Sequence, residues 1–224
     1  MGDLVPPERF GVIETGLFRS NYPMEVNFRF LRTLGLRTAV NLTQERLVRS
    51  ALAFFAEQRI TLRQLGEQSS GGIASGVASE ELIKQALEIA LDGRNYPLLL
   101  MSSSGNHGVG LIVGCLRRLQ RWSISSALDE YRSFAAPAAR YMTEQAIEVF
   151  DLQLVDAPSD VPPWYASLTA ADEAEEAWHA EACARLREEG RPIPAYLERF
   201  FGGYGLLAAD EAAAQRVLNE SDDD

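Results

Sequence analysis

Nine consecutive residues, Ser102-Ser103-Ser104-Gly105-Asn106-His107-Gly108-Val109-Gly110, form a loop of small polar groups in which chemistry could be done. They follow the apolar run Pro97-Leu98-Leu99-Leu100-Met101. They precede a stretch in which Leu111, Cys115, Leu119 and Trp122 recur at helical spacing. A glycine- and serine-rich turn between a buried strand and a helix can hold an anion, because unpaired backbone N–H groups and the positive end of the helix dipole face one concavity. The hydroxyls of Ser102, Ser103 and Ser104, the Asn106 amide and the His107 imidazole add neutral donors around it. Gly105, Gly108 and Gly110 read equally well as residues that let a tight turn adopt positive φ. The loop alone therefore leaves an anion site and a plain turn both open.

Other chemistry-bearing side chains are sparse. Cys115 lies on the apolar face of its helix and reads as core. His179 and Cys183 stand at i and i+4 but are two ligands short of a tetrahedral metal site, so neither a metal nor a cofactor is expected. Glu80 follows Ser79, an N-cap, and a carboxylate there is favoured by the helix dipole whether or not it does chemistry.

Strands and helices alternate along the body that must position these residues. Residues 37–42 (RTAVNL), 60–65 (ITLRQL) and 97–101 (PLLLM) read as strands. Residues 47–58 read as a helix, as do 79–92, the stretch from about Leu111, a piece opening near Ser125 or Ser126, and residues 143–150. Residues 66–77 (GEQSSGGIASGV), without periodicity or cations, read as a flexible loop. Strands interleaved with crossover helices predict an α/β fold with a central, mostly parallel sheet flanked by helices. The organisation read from this pattern is one domain over 1–152, a Pro/Asp-rich linker over 153–168, and an acidic, mainly helical extension over 169–224 with a disordered end.

Composition narrows the classes further. The chain has 224 residues, 46% of them hydrophobic, with no apolar run near the roughly 20 residues of a membrane helix. Residues 1–152 carry 16 cations and 16 carboxylates, so the whole net charge of −11 falls in the last 72 residues, with 5 and 16. A neutral body with an acidic tail argues against nucleic acid and against an anionic membrane surface as partners. Two cysteines far apart and no secretory leader pattern give a reducing, cytoplasmic compartment as the expectation.

At several stretches the sequence resembles the plant-and-fungi atypical dual-specificity phosphatases, a branch of the protein tyrosine phosphatase superfamily that includes inositol pyrophosphate phosphatases. The residues that carry the resemblance are Pro6-Pro7-Glu8-Arg9-Phe10-Gly11-Val12, Gly16-Leu17-Phe18-Arg19-Ser20-Asn21-Tyr22-Pro23, Asn27-Phe28-Arg29-Phe30-Leu31 and Leu36-Arg37-Thr38-Ala39-Val40-Asn41-Leu42. Gly114-Cys115-Leu116-Arg117-Arg118-Leu119 and Leu128-Asp129-Glu130-Tyr131-Arg132-Ser133-Phe134-Ala135 continue it. They occur in family order over roughly residues 5–152.

The family's signature loop reads His-Cys-Asn-Arg-Gly-Lys-His-Arg-Thr-Gly, and here those positions run from Met101 to Gly110. Ser102 stands at the place of the nucleophilic cysteine and Gly108 at that of the arginine that grips the phosphoryl group. A cysteine at a helix N-terminus attacks phosphorus as a thiolate, whereas a serine hydroxyl needs a base, for which His107 is the candidate. Arginine is a bidentate clamp that glycine cannot replace. The acid loop is changed as well: Ala78-Ser79-Glu80 stands where the family has Ile-Pro-Asp/Glu, leaving Glu80 as a relic acid. The resemblance so read implies a catalytically inactive phosphatase-like protein serving as scaffold or regulatory subunit in a signalling complex. Its partners would be proteins, among them related phosphatase-family subunits. The alternative is a sensor that binds a phosphate ester or inositol (pyro)phosphate, or a residual phosphatase hydrolysing phosphotyrosine or inositol pyrophosphates.

Overall fold

The computed structural model describes residues 3–65, 78–194 and 197. Two compact units are present, Met1–Leu168 and Thr169–Asp224. The first is built on a five-stranded sheet of order β1-β2-β5-β3-β4. Its strands are β1 (Gly11–Glu14), β2 (Leu17–Asn21), β3 (Thr38–Asn41), β4 (Thr61–Gln64) and β5 (Leu98–Ser102). The last four are mutually parallel, and only β1 runs antiparallel, against β2. The expected central, mostly parallel sheet is present.

Residues 98–102 are all buried, as the unbroken apolar run predicts for a strand covered on both faces. Side chains alternate across the sheet. Leu98 and Leu100 join Leu17 and Val40 in one core, with Leu87 of α3 (Glu80–Leu91), Ile112 of α4 (His107–Leu119), Leu128 of α5 (Ile124–Ala135) and Ile147 of α6 (Tyr141–Val149). Leu99 and Met101 join Ala39 in the other, with Leu31 of α1 (Glu25–Thr33) and Phe54 and Phe55 of α2 (Arg49–Glu57). In that second core the Phe28 and Phe54 rings stack at 4.3 Å.

Helix α3 starts where its cap was read, since Ser79 Oγ accepts the Leu82 N–H at 3.3 Å. Helix α4 starts four residues before Leu111, at His107, so half of the polar loop is helix rather than turn. A further helix, α7 (Pro163–Glu188), opens inside the segment 153–168 read as linker. Proline is well suited to the first helical position because its missing N–H would have had no intrahelical acceptor. Trp164 and Tyr165, at its start, pack against the first core, and Trp164 Nε1 donates to the Tyr96 hydroxyl at 3.3 Å. In the second unit His179 and Cys183 are buried and Trp178 is exposed. The loop at 66–77 and the acidic end lie outside the described residues.

A buried ion cluster ties the edge hairpin to the helices. Arg117 of α4 is 5% exposed and donates to Glu130 of α5 at 2.6 Å and to Glu14 of β1 at 2.9 Å. It also donates to the Ile13 carbonyl at 3.1 Å and lies over the Trp122 ring. Removing the guanidinium would leave two carboxylates without this partner, on side chains 28% and 18% exposed. Arg117→Met is expected to cost about 2–4 kcal/mol, toward the low side for a broken buried pair because both carboxylates stay partly hydrated. Urea denaturation measures this, and a loss below ~0.5 kcal/mol would mean that the cluster does not hold the hairpin.

Candidate functional site

The four parallel strands all end in polar residues, Asn21, Asn41, Gln64 and Ser102, so the carboxyl edge of the sheet is polar where its interior is not. Ligands of open parallel sheets bind beyond this edge. At β3 the edge is tied by side chains. Asn41 Nδ2 donates to Gln64 Oε1 and to the Glu45 carbonyl, both at 2.8 Å, and the Tyr22 hydroxyl lies 2.9 Å from Asn41 Oδ1. At β5 the edge is the turn itself.

Ser102 closes β5, pairs in register with Asn21 of β2 and is 2% exposed. Its Oγ accepts the Gly105 N–H at 3.0 Å, which folds the chain back over the strand end. Ser104 Oγ accepts the Asn106 N–H at 3.3 Å, while Ser103 and Ser104 are exposed. Gly105 has φ +69°, and a Cβ on it would meet the Asn21 backbone nitrogen at 2.7 Å. It therefore needs glycine on both counts.

Gly108 and Gly110 do not have positive φ, contrary to the turn reading, because α4 has already begun. Gly110 is small for another reason: its Cβ would lie 2.6 Å from Tyr131 Cδ2. Asn106 precedes α4 without capping it through its side chain. The N–H groups of His107, Gly108 and Val109 thus have no intrahelical acceptor, which is the arrangement that attracts an oxyanion.

His107 is half-buried, and its Nδ1 lies 3.0 Å from the Tyr131 hydroxyl, which in turn accepts the Arg140 N–H at 2.9 Å. With its proton on Nδ1, His107 donates to Tyr131 and keeps Nε2 as a base. The other tautomer makes Nε2 a donor. Burial first, and the charge of Arg140 second, hold the imidazolium below its ordinary 6.5, so the ring is neutral at pH 7. The sequence offers no carboxylate to orient His107, and Tyr131, 24 residues away, takes that place. Nothing in local spacing announces it.

Arg19 is also found here. It is 1% exposed, donates from Nη2 to the Gly105 carbonyl at 3.2 Å and stacks 3.8 Å from the Phe134 ring centroid. The fold thus puts its charged end behind the loop. Glu80 is exposed as the first residue of α3 and forms no hydrogen bond or ion pair with the loop among the described residues. The Cys115 thiol is pushed up to about 12 by burial, consistent with an inert core residue. A groove of about 720 Å³ along β4 and α3, lined by Arg63, Gln85, Glu88 and Asp156 among others, shares no residue with the loop. Among the described residues no three His, Cys, Asp or Glu side chains group as metal ligands, and no helix is long and apolar enough to cross a membrane.

Residues 4–167 match the tyrosine phosphatase family. Over 148 residues the chain is 40% identical to inositol diphosphatase DSP2 of Oryza sativa subsp. japonica, a match that covers 66% of this chain and 72% of that protein. Over 183 residues it is 33% identical to inositol diphosphatase DSP2 of Arabidopsis thaliana, covering 67% and 71%. Among solved structures it is similar to the core catalytic domain of PP-IP phosphatase SIW14 from S. cerevisiae in complex with citrate. The identity there is 36% and the TM-score 0.61, with 66% of this chain and 89% of that chain covered.

These relatives overturn the expectation of an inactive scaffold or regulatory subunit. They are named for hydrolysing inositol diphosphates or pyrophosphates, and none of the three is named as a non-catalytic subunit. That expectation rested on Ser102, Gly108 and the Ala78-Ser79-Glu80 stretch as letters in motifs. It could not include what the fold sets around them, a buried guanidinium behind Gly105 and a tyrosine on His107.

The depressed His107 gives a prediction with a definite sign. The ring binds its proton more weakly folded than unfolded, so its contribution favours the folded state fully above the ordinary 6.5 and is lost as pH falls from there through the lowered folded value. Arg140→Gln removes one of the two causes and is expected to raise the His107 pKa toward 6.5 in an NMR titration of its ring protons. An unmoved or lowered titration would exclude Arg140 from the field at this ring.

Proposed function

The chain belongs to the tyrosine phosphatase family, and from that premise we propose that its loop at 102–110 binds a phosphate ester and that the chain is a slow, serine-based phosphatase. Phosphotyrosine and inositol pyrophosphates are the proposed substrates. One observation carries the reading. Ser102 Oγ is fixed by the Gly105 N–H at the end of β5, beside the uncapped first turn of α4. A phosphoryl group set on those amides would have the hydroxyl as its neighbour. Identity of 33–40% to proteins named inositol diphosphatases supports the substrate class.

In this mechanism Ser102 Oγ attacks phosphorus and its proton passes to neutral His107, held by Tyr131. The bond to the leaving oxygen breaks and that oxygen takes a proton from solvent. Water then attacks the phosphoserine at phosphorus, the Oγ–P bond breaks, and the proton held on His107 passes to Ser102 Oγ, which regenerates both the hydroxyl and the neutral imidazole. The reaction is slow for two physical reasons. A serine hydroxyl is not ionised by a helix N-terminus as a thiol is. Gly108 also supplies no guanidinium to the equatorial oxygens, and loss of one preorganised donor typically costs about a hundredfold or more. A sensor that binds the same anion without turnover is the second reading, favoured by that weakly acidic hydroxyl.

Thermal denaturation with phosphate, phosphotyrosine, inositol hexakisphosphate and an inositol pyrophosphate, together with phosphate release, tests both parts. A ligand at about a hundred times its Kd adds roughly 2.7 kcal/mol, a clear rise in melting temperature. Ser102→Ala is expected to keep the rise and abolish release, and Ser102→Cys to speed release. Release unaffected by Ser102→Ala would remove the serine from the mechanism, a rise without release would leave the sensor, and a panel with no rise would sink the site.

A further inference from the structure

The first unit buries two arginines deeply, and they are treated differently. Arg117 has two carboxylates, a glutamine and a carbonyl around its guanidinium. Arg19, 1% exposed, has one hydrogen bond, from Nη2 to the Gly105 carbonyl at 3.2 Å. Its Nε and Nη1 are buried without a hydrogen-bond partner among the described residues, and no carboxylate lies within ion-pair distance of it there. The Phe134 face, 3.8 Å away, offers only a quadrupole. Burial also pulls the Arg19 guanidinium down, to about 10, an effect that the Glu130 carboxylate, itself held by Arg117, only partly offsets, so Arg19 remains charged at neutral pH. A buried cation with unpaired N–H groups is costly unless something supplies its counter-charge.

Its position shows where that counter-charge would sit. Arg19 holds the carbonyl of the one loop residue with positive φ, and its Nη2 is 3.9 Å from where a Cβ on Gly110, in the first turn of α4, would lie. The guanidinium therefore backs the loop from the strand side while the uncapped N–H groups of His107, Gly108 and Val109 border it from the helix side. Turning the Gly105 carbonyl toward Arg19 also turns negative charge away from that concavity. The loop itself contains no lysine or arginine.

We infer that Arg19 is the fixed positive charge of an oxyanion site in the loop at 102–110, a positioning residue that holds Gly105 and is neutralised when a phosphate-like anion binds. This rests on the phosphate-binding reading above and supplies the cation that reading lacks. The ligand class follows from the single charge. One compact tetrahedral oxyanion, a phosphoryl group or its mimic, is matched by one guanidinium and a ring of amides.

The test uses tungstate as the probe, with the wild-type chain, Arg19→Met and Arg19→Lys, by calorimetric titration and thermal denaturation. Wild type is expected to bind, Arg19→Met to bind at least about tenfold more weakly, and Arg19→Lys to recover most of the loss, as removal and return of a poorly screened charge require. The melting temperature of anion-free Arg19→Met is expected to stay level or rise, because a buried charge with no ion-pair partner among the described residues is gone. A packing residue would give the reverse, a lower melting temperature with tungstate affinity unchanged, and that result overturns the inference. Tungstate that fails to bind the wild type would overturn the phosphate-binding reading together with this one. Should Arg19→Met not fold, the Arg19 Nε–H signal of the wild type decides by NMR. A saturable shift on titration with tungstate supports the inference, and an unmoved signal overturns it.

Discussion

Strand β5 has both faces buried and must pass its chain to α4 across only four residues, 103–106. Everything at the candidate site follows from that short handover. The turn is tight enough to need positive φ at Gly105, where the backbone of Asn21 leaves no space for a side chain. It is short enough that Ser102 satisfies the Gly105 N–H itself. Helix α4 then begins before any side chain can cap it, so its first N–H groups face the polar edge of the sheet.

The helices on the first core brace this loop through specific contacts. Gly110 lets α5 close on α4, which brings Tyr131 against His107. Arg117 locks α4 to α5 and to the β1–β2 hairpin through Glu130 and Glu14. Strand β2, the other member of that hairpin, carries Arg19 to the back of the turn. The two arginines show how one residue type serves opposite ends. Fully paired, Arg117 acts on stability, whereas Arg19, with Nε and Nη1 lacking a hydrogen-bond partner among the described residues, leaves a local field that an anion can neutralise.

Much of the architecture was legible in the residues. The run Leu98 to Met101 reads as a doubly covered strand, Ser79 as an N-cap, and the alternation of strand and helix patterns as a parallel α/β sheet, because hydrophobic period and capping chemistry are local. The place of the loop after β5 was legible for the same reason. Less so was the start of α4, since three glycines within six residues lower helix propensity and mimic a turn. The functional reading failed when it took changed letters at 78–80, 102 and 108 as decisive, although two thirds of the chain matches proteins named as phosphatases.

Residue order by itself determined the strand, the turn and the polar groups of the loop, along with the neutral charge of the body and the acidity of the tail. Only the tertiary structure decided what surrounds the loop. Tyr131 reaches His107 from 24 residues away and Arg19 reaches Gly105 from 86. Contacts at such separations are set by how helices and strands pack around shared cores. A charge that is ordinary in the sequence becomes functional once packing takes it out of water beside a ring of unpaired amides.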